Sequence, residues 1–133
     1  MSYFFFKKHE KIELSKHFNS SEFICHCKHS ECQDQMISKE LINRLEKIRE
    51  EIGQPLRITS AFRCAQYQAD LRKTGILTAK GKSTHELGDA ADISCPVPID
   101  DLLKISAKQF SSIGIAKNFL HCDLRPGHRR WNY

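Results

Sequence analysis

No run of apolar residues in this chain approaches the ~20 needed to span a bilayer, so insertion into a membrane is not expected. The one aromatic-rich run, Tyr3-Phe4-Phe5-Phe6, is too short for the core of a secretory signal. Its lysines, Lys7 and Lys8, follow the apolar residues instead of preceding them. An export signal is therefore not expected, which places synthesis in the cytoplasm with reduced thiols as the default. Internal repeats, low-complexity tracts and linkers are also missing, so the 133 residues are expected to form a single domain, 1–133, around one modest core. There is no His-Glu-x-x-His helix, which excludes that route to a zinc protease. The cysteines lack the paired Cys-x-x-Cys arrangement, and no basic helix or aromatic stacking motif accompanies them. A zinc-stabilised nucleic-acid binder is excluded on those grounds, and nucleic acid is not an expected partner.

What is present is ordinary for a globular protein: 40% hydrophobic and 28% charged residues. Lysine and arginine outnumber aspartate and glutamate by 21 to 16, for a net charge of +5. A positive field favours a polyanionic partner at long range, and a bacterial wall bearing anionic polymers qualifies. The charge is spread along the chain, as on a solvated basic surface.

The pattern predicts an α+β fold: a small antiparallel sheet carrying a metal site, flanked by helices. Residues 1–37 read as a loop-rich leading segment. A helix is expected over Ser38–Ile52, capped by Ser38, striped by Leu41, Ile42, Leu45, Ile48 and Ile52, and stopped by Gly53. After Pro55 a strand is expected over Leu56–Ser60, then a helix from Cys64 or Ala65 to Lys73 ended by Gly75, and a polar loop over Thr78–Lys82. A strand over Ala90–Cys95, a helix over Ile99–Phe110, and a hairpin of Ile113–Ile115 with Asn118–Leu124 complete the reading.

Chemistry concentrates in Ser83-Thr84-His85-Glu86-Leu87-Gly88-Asp89-Ala90-Ala91-Asp92-Ile93 and in Phe119-Leu120-His121-Cys122-Asp123. A histidine and an aspartate seven positions apart, joined by a third ligand from a distant strand, describe a catalytic metal site. Three ligands of mixed nitrogen and oxygen type leave a fourth tetrahedral position for water, unlike closed structural zinc. Gly88 gives backbone freedom between the ligands, and Ala90 and Ala91 are small enough to admit Asp92 to a crowded interior. His121 and Asp123, two apart on a strand, point to one face.

Ser83-x-His85-x-x-Gly88-x-Ala90-x-Asp92, with Thr59-Ser60-Ala61-Phe62-Arg63 upstream and Phe119-Leu120-His121-x-Asp123-x-Arg125 downstream, resembles the zinc peptidoglycan peptidases. These are the D-alanyl-D-alanine carboxypeptidase and L-alanyl-D-glutamate endopeptidase family, akin in fold to the hedgehog amino-terminal domain. The resemblance runs from about Leu14 to Trp131, and phage lysins and bacterial wall-remodelling enzymes with this pattern are the most similar. It implies a zinc ion on His85, Asp92 and His121, a water acidified to a pKa of about 7, and a peptidoglycan stem peptide as substrate. It implies a place for Arg63 in the cleft, where guanidinium can polarise the scissile carbonyl or pair with a peptide carboxylate. Ser60 and Ser83 are expected to bind substrate, and Arg125 and Trp131 to cover the strand that bears His121. Related enzymes usually carry an acidic residue three positions before the last histidine. Asn118 stands there instead, so Asp123 is expected to be the general base, and Glu86 to face solvent.

The leading expectation is a monomeric cell-wall hydrolase, made without a signal and reaching the wall by holin-assisted lysis. The alternative is a noncatalytic zinc-containing wall-binding module, which Asn118 keeps in view. Cys25-x-Cys27-x4-Cys32, with His26 and His29 among them, has three readings. It is a second structural metal site if Cys64 supplies a fourth ligand, a disulfide, or a set of free thiols; it is expected to lie away from catalysis, and total metal is expected at about one zinc per chain. Cys95 and Cys122 read as free cysteines on core strands.

Overall fold

Leu41, Ile42, Leu45 and Ile48 recur at helical spacing, and a computed structural model of the chain, describing residues 2–75 and 83–133, buries all four on one face of helix α1 (Lys39–Ile52). The Ser38 hydroxyl accepts from the Leu41 backbone N–H at 3.3 Å, and Gly53 closes the helix at φ 71°. The expected boundaries hold at both ends. The loop expected over Thr78–Lys82 lies outside the described residues.

Seven strands and two further helices complete the described chain. Strand β1 (Tyr3–Lys7) pairs antiparallel with β2 (Asp34–Ser38), so the leading segment is more regular than the loop expected there. A short 3-10 turn, Ser20–Phe23, capped by Asn19, lies between them. The main sheet has the order β3 (Arg57–Ser60), β4 (Ala90–Ser94), β6 (Leu120–Asp123), β5 (Ser112–Ile115), β7 (Arg129–Asn132). All its pairings are antiparallel except β5 with β7, so the expected antiparallel sheet is mixed at one edge. Helix α2 (Ala65–Lys73) follows β3, and α3 (Ile99–Ser106) follows β4. The α+β class is as expected. Helix α3 stops four residues short of the expected Phe110. Its last turns tighten into i→i+3 bonds at Lys108 and Gln109, which swing Phe110 into the core beneath the Arg44 guanidinium. Among the described residues no helix is long and apolar enough to cross a membrane.

Strand alternation divides the labour of the sheet. Ala91, Ile93, Ile113, Leu120 and Cys122 enter the core that α1 and α3 cover. The opposite face carries Ser60, Asp92, His121, Gly114 and Trp131, which stand side by side on one rung crossing all five strands. Gly114 is indispensable to that rung. A Cβ there would sit 2.5–2.7 Å from the Trp131 indole, which lies across the glycine against the His121 ring at 5.4 Å. Gly114→Ala is expected to destabilise the fold by about 1–3 kcal/mol through overpacking. Trp131 is the sole tryptophan, so its emission should shift in the folded variant along with a lowered denaturation midpoint. Wild-type emission and midpoint would show that the indole does not rest on Gly114.

Candidate metal centre

His85, Asp92 and His121 are delivered by three different pieces of chain and meet at one point. Asp92 on β4 and His121 on β6 are direct cross-strand partners, which brings their side chains together. His85 arrives on the turn before β4. Within that turn the Ser83 hydroxyl accepts from the His85 N–H at 3.1 Å, and the Glu86 carboxylate accepts from the Ser83 N–H at 2.6 Å, a capping-box arrangement. Gly88, at φ 71°, ends the turn, and a Cβ there would press on the Met36 carbonyl at 3.0 Å.

The three ligand atoms form a nearly equilateral triangle. His121 Nδ1 lies 3.2 Å from His85 Nε2 and 3.1 Å from Asp92 Oδ1, and His85 Nε2 lies 3.3 Å from the same oxygen. A tetrahedral zinc ion with bonds of about 2.0–2.1 Å has ligand–ligand edges of about 3.3 Å. The donor set, two imidazole nitrogens and one carboxylate, also suits zinc, and all three residues are buried. Spacing and chemistry both fit the ion.

Each ligand is held from behind. His85 Nδ1 donates to the Ala61 carbonyl at 2.7 Å, which fixes the tautomer and leaves the Nε2 lone pair facing the triangle. Burial pushes the His85 imidazole down in pKa, against the pull of Asp92, so it is neutral as a ligand must be. Burial would raise the Asp92 carboxyl, but hydrogen bonds from His121 and His85 outweigh it and hold the group well below the usual carboxylate range. Burial also opposes a charged His121, yet the Asp123 and Asp92 carboxylates raise its pKa.

The sequence placed Asp123 on the same face as His121, and the register agrees, but the carboxylate does not look into the triangle. Its Oδ2 accepts from His121 Nε2 at 2.8 Å, the nitrogen turned away from Asp92 and His85. Arg125 clamps it through the backbone N–H at 2.9 Å, Nε at 3.0 Å and Nη2 at 2.9 Å. The residue is fully buried, with 0% exposure. The carboxylate thus meets the back of the His121 ring, not the open corner of the triangle where the general base was expected. Asn118 is exposed on the turn between β5 and β6. Glu86 also departs from expectation, since its carboxylate closes the His85 turn and is only half-exposed.

Arg63 reaches the centre as expected. Its Nη2 stands 3.5 Å from Asp92 Oδ2, its Nε donates to the Ser60 hydroxyl at 3.1 Å, and its backbone N–H donates to the His85 carbonyl. The Ser60 hydroxyl thus accepts from Arg63 Nε and the Ser83 hydroxyl from the His85 N–H. Trp131 and Arg125 cover His121 as expected: the guanidinium sits 5.4 Å over the indole, and the indole lies on the imidazole. Sequence reading missed the continuation of this stack, in which Trp131, Tyr133 and Phe119 form an aromatic wall with ring separations of 6.4 and 5.6 Å. It also missed Tyr3, whose hydroxyl donates to Asp89 at 2.7 Å and ties β1 to the ligand turn. The alternation of aromatic residues at 131 and 133 was the available signal for the wall; nothing local signals Tyr3.

A family model described as Peptidase M15 matches residues 16–123, which includes every ligand of the centre and Arg63. No curated protein matches the chain.

Proposed function

The chain belongs to the peptidase M15 family and is a metallopeptidase, and on that premise we propose that it hydrolyses an amide bond in the stem peptide of peptidoglycan. The observation that carries the reading is the ligand triangle of His85, Asp92 and His121 with the Arg63 guanidinium beside it. The motifs around it are those of wall peptidases, and the net charge of +5 suits an anionic wall.

His85, Asp92 and His121 would hold zinc. When bound, zinc supplies Lewis-acid polarisation and acidifies a water to a pKa of about 7. The protein's own groups do the rest. The Arg63 guanidinium, steadied by Ser60, offers N–H donors to a substrate carbonyl or carboxylate at the edge of the triangle. Ser60 and Ser83 also steady Arg63 and the His85 turn, and each hydroxyl keeps its O–H donor for the substrate. The aromatic wall continues from Trp131, which lies on the His121 ring, through Tyr133 to Phe119 and offers an apolar face beside the centre. Asp123 keeps the proton on His121 Nε2, so that Nδ1 presents its lone pair to the metal.

Purified muropeptides incubated with the zinc-loaded protein are expected to lose a terminal residue or to split within the stem, read by mass spectrometry. The mass lost also identifies the bond. Intact muropeptides with zinc bound would favour the second reading, a wall-binding module, for which the exposed Asn118 in place of an acidic residue is the supporting observation.

A further inference from the structure

Residues 24–33 form neither helix nor strand, yet Cys25 is completely buried there and Cys32 nearly so. An irregular segment needs something to hold it in. Four sulfurs converge at that point: Cys25, Cys27 and Cys32 from the segment, and Cys64 from the start of α2, with the ligating atoms all within 4.8 Å of one another. They make a small cluster with Phe62, Met36 and Tyr67, separate from the main core.

We propose that Cys25, Cys27, Cys32 and Cys64 form a second, closed metal site that binds a structural zinc ion through four thiolates. A zinc ion with Zn–S bonds of about 2.3 Å has S···S edges of about 3.8 Å, and Cys64 Sγ lies 3.8 Å from Cys27 Sγ. A disulfide would need that distance to fall to about 2.05 Å and would leave two other thiols stranded in the same cluster. The surroundings are those of bound thiolates. The Cys64 N–H points to Cys25 Sγ at 3.3 Å, the Tyr67 N–H to Cys64 Sγ at 3.4 Å, and the Gln35 side-chain amide to Cys32 Sγ at 3.5 Å. The Lys8 ammonium stands 3.5 Å from Cys27 Sγ and offsets the excess negative charge of a four-thiolate site. Cys64 caps α2, whose N-terminal dipole favours a thiolate in the same way. His29, a sequence candidate for the cluster, is turned outward to Asp70 at 2.8 Å.

As metal binds, the four thiols release their protons to solvent and the segment is stapled to α2. Arg63 immediately precedes Cys64, so the staple also fixes the chain beside the catalytic centre. The cluster is thus joined in sequence to Arg63 and not remote from it, and the proposal departs from the expectation of one zinc per chain.

The test reads metal and is independent of muropeptide cleavage. Reduced protein is expected to carry two zinc ions per chain, and the cobalt-exchanged protein a thiolate-to-cobalt charge-transfer band in the near ultraviolet. His85→Ala should keep that band with one metal; Cys27→Ser should lose it and keep the other metal. Mercurial titration of the unmodified protein, which needs no variant to fold, should release one zinc as the four cluster thiols react, with Cys95 and Cys122 reacting without release. A cobalt protein without the band, a Cys27→Ser protein with both metals, or all six thiols titrating without release of zinc would each overturn the proposal.

Discussion

His85→Ala is expected to empty the catalytic centre of metal and bring turnover to background while α1, α3 and the sheet persist. His85 contributes one corner of the triangle, and its Nδ1 anchors the turn to the Ala61 carbonyl. Without it, His121 and Asp92 remain 3.1 Å apart and close on one another as a buried hydrogen-bonded pair. Two ligands do not hold a catalytic zinc ion, which takes three protein groups plus one open position. The contribution at stake is the acidification of water from about 15.7 to about 7, which no remaining side chain replaces. The fold survives because His85 lies outside the core cluster built on Leu41, Leu45, Ile93 and Leu120. Circular dichroism should therefore match the wild type while metal at this centre and muropeptide cleavage both vanish. Retained cleavage with metal lost would sever the link between triangle and activity.

Much of this centre is written locally in the chain. A histidine and an aspartate at fixed spacing, a glycine between them and a second histidine on an apolar strand specify ligands wherever the strands pair, and the pairing of Asp92 with His121 completes the design. Helix α1 was legible for the same reason, since cap, stripe and stop all lie within sixteen residues of one another. What escaped depends on contacts between distant segments. Strands β1 and β2 find each other across a long separation, and Asp34–Ser38 has little of the β-branched character that marks a strand. Strand β7 joins β5 in parallel because Trp131 must reach over Gly114, a fit invisible until the rung is assembled. Cys64 meets the other cysteines only through the packing of α2 on residues 24–33. Alternation on β6 correctly put Asp123 on the face of His121, but a period of two reports a face and says nothing of which ring nitrogen the carboxylate meets.

Asp123→Asn separates an orienting carboxylate from a catalytic one. In the native centre Asp123 accepts from His121 Nε2 and from three N–H groups of Arg125. Burial would raise its carboxyl, but those bonds to His121 and Arg125 outweigh it and hold the group well below the usual carboxylate range. A base works best with a pKa near the working pH, and a group so depressed and so buried is poorly suited to take a proton. An asparagine at this position has one acceptor and one donor face. If its oxygen stays with His121, its NH2 is forced against the Arg125 guanidinium, which offers only donors. If it turns round, the NH2 meets His121 Nε2 and favours the tautomer with the proton on Nδ1, the nitrogen the metal needs bare. Either way the ligand is misoriented, and loss of such a partner typically costs about 10–100-fold in metal affinity or activity. Zinc affinity should fall by that factor, excess zinc should restore most of the turnover, and the pH profile should keep both limbs. Loss of a true base would cost about 10²–10⁴-fold in rate at unchanged zinc affinity, and would remove the acidic limb. That second pattern, found in zinc-saturated Asp123→Asn, would return the proton to Asp123 and overturn its placement behind the ligand.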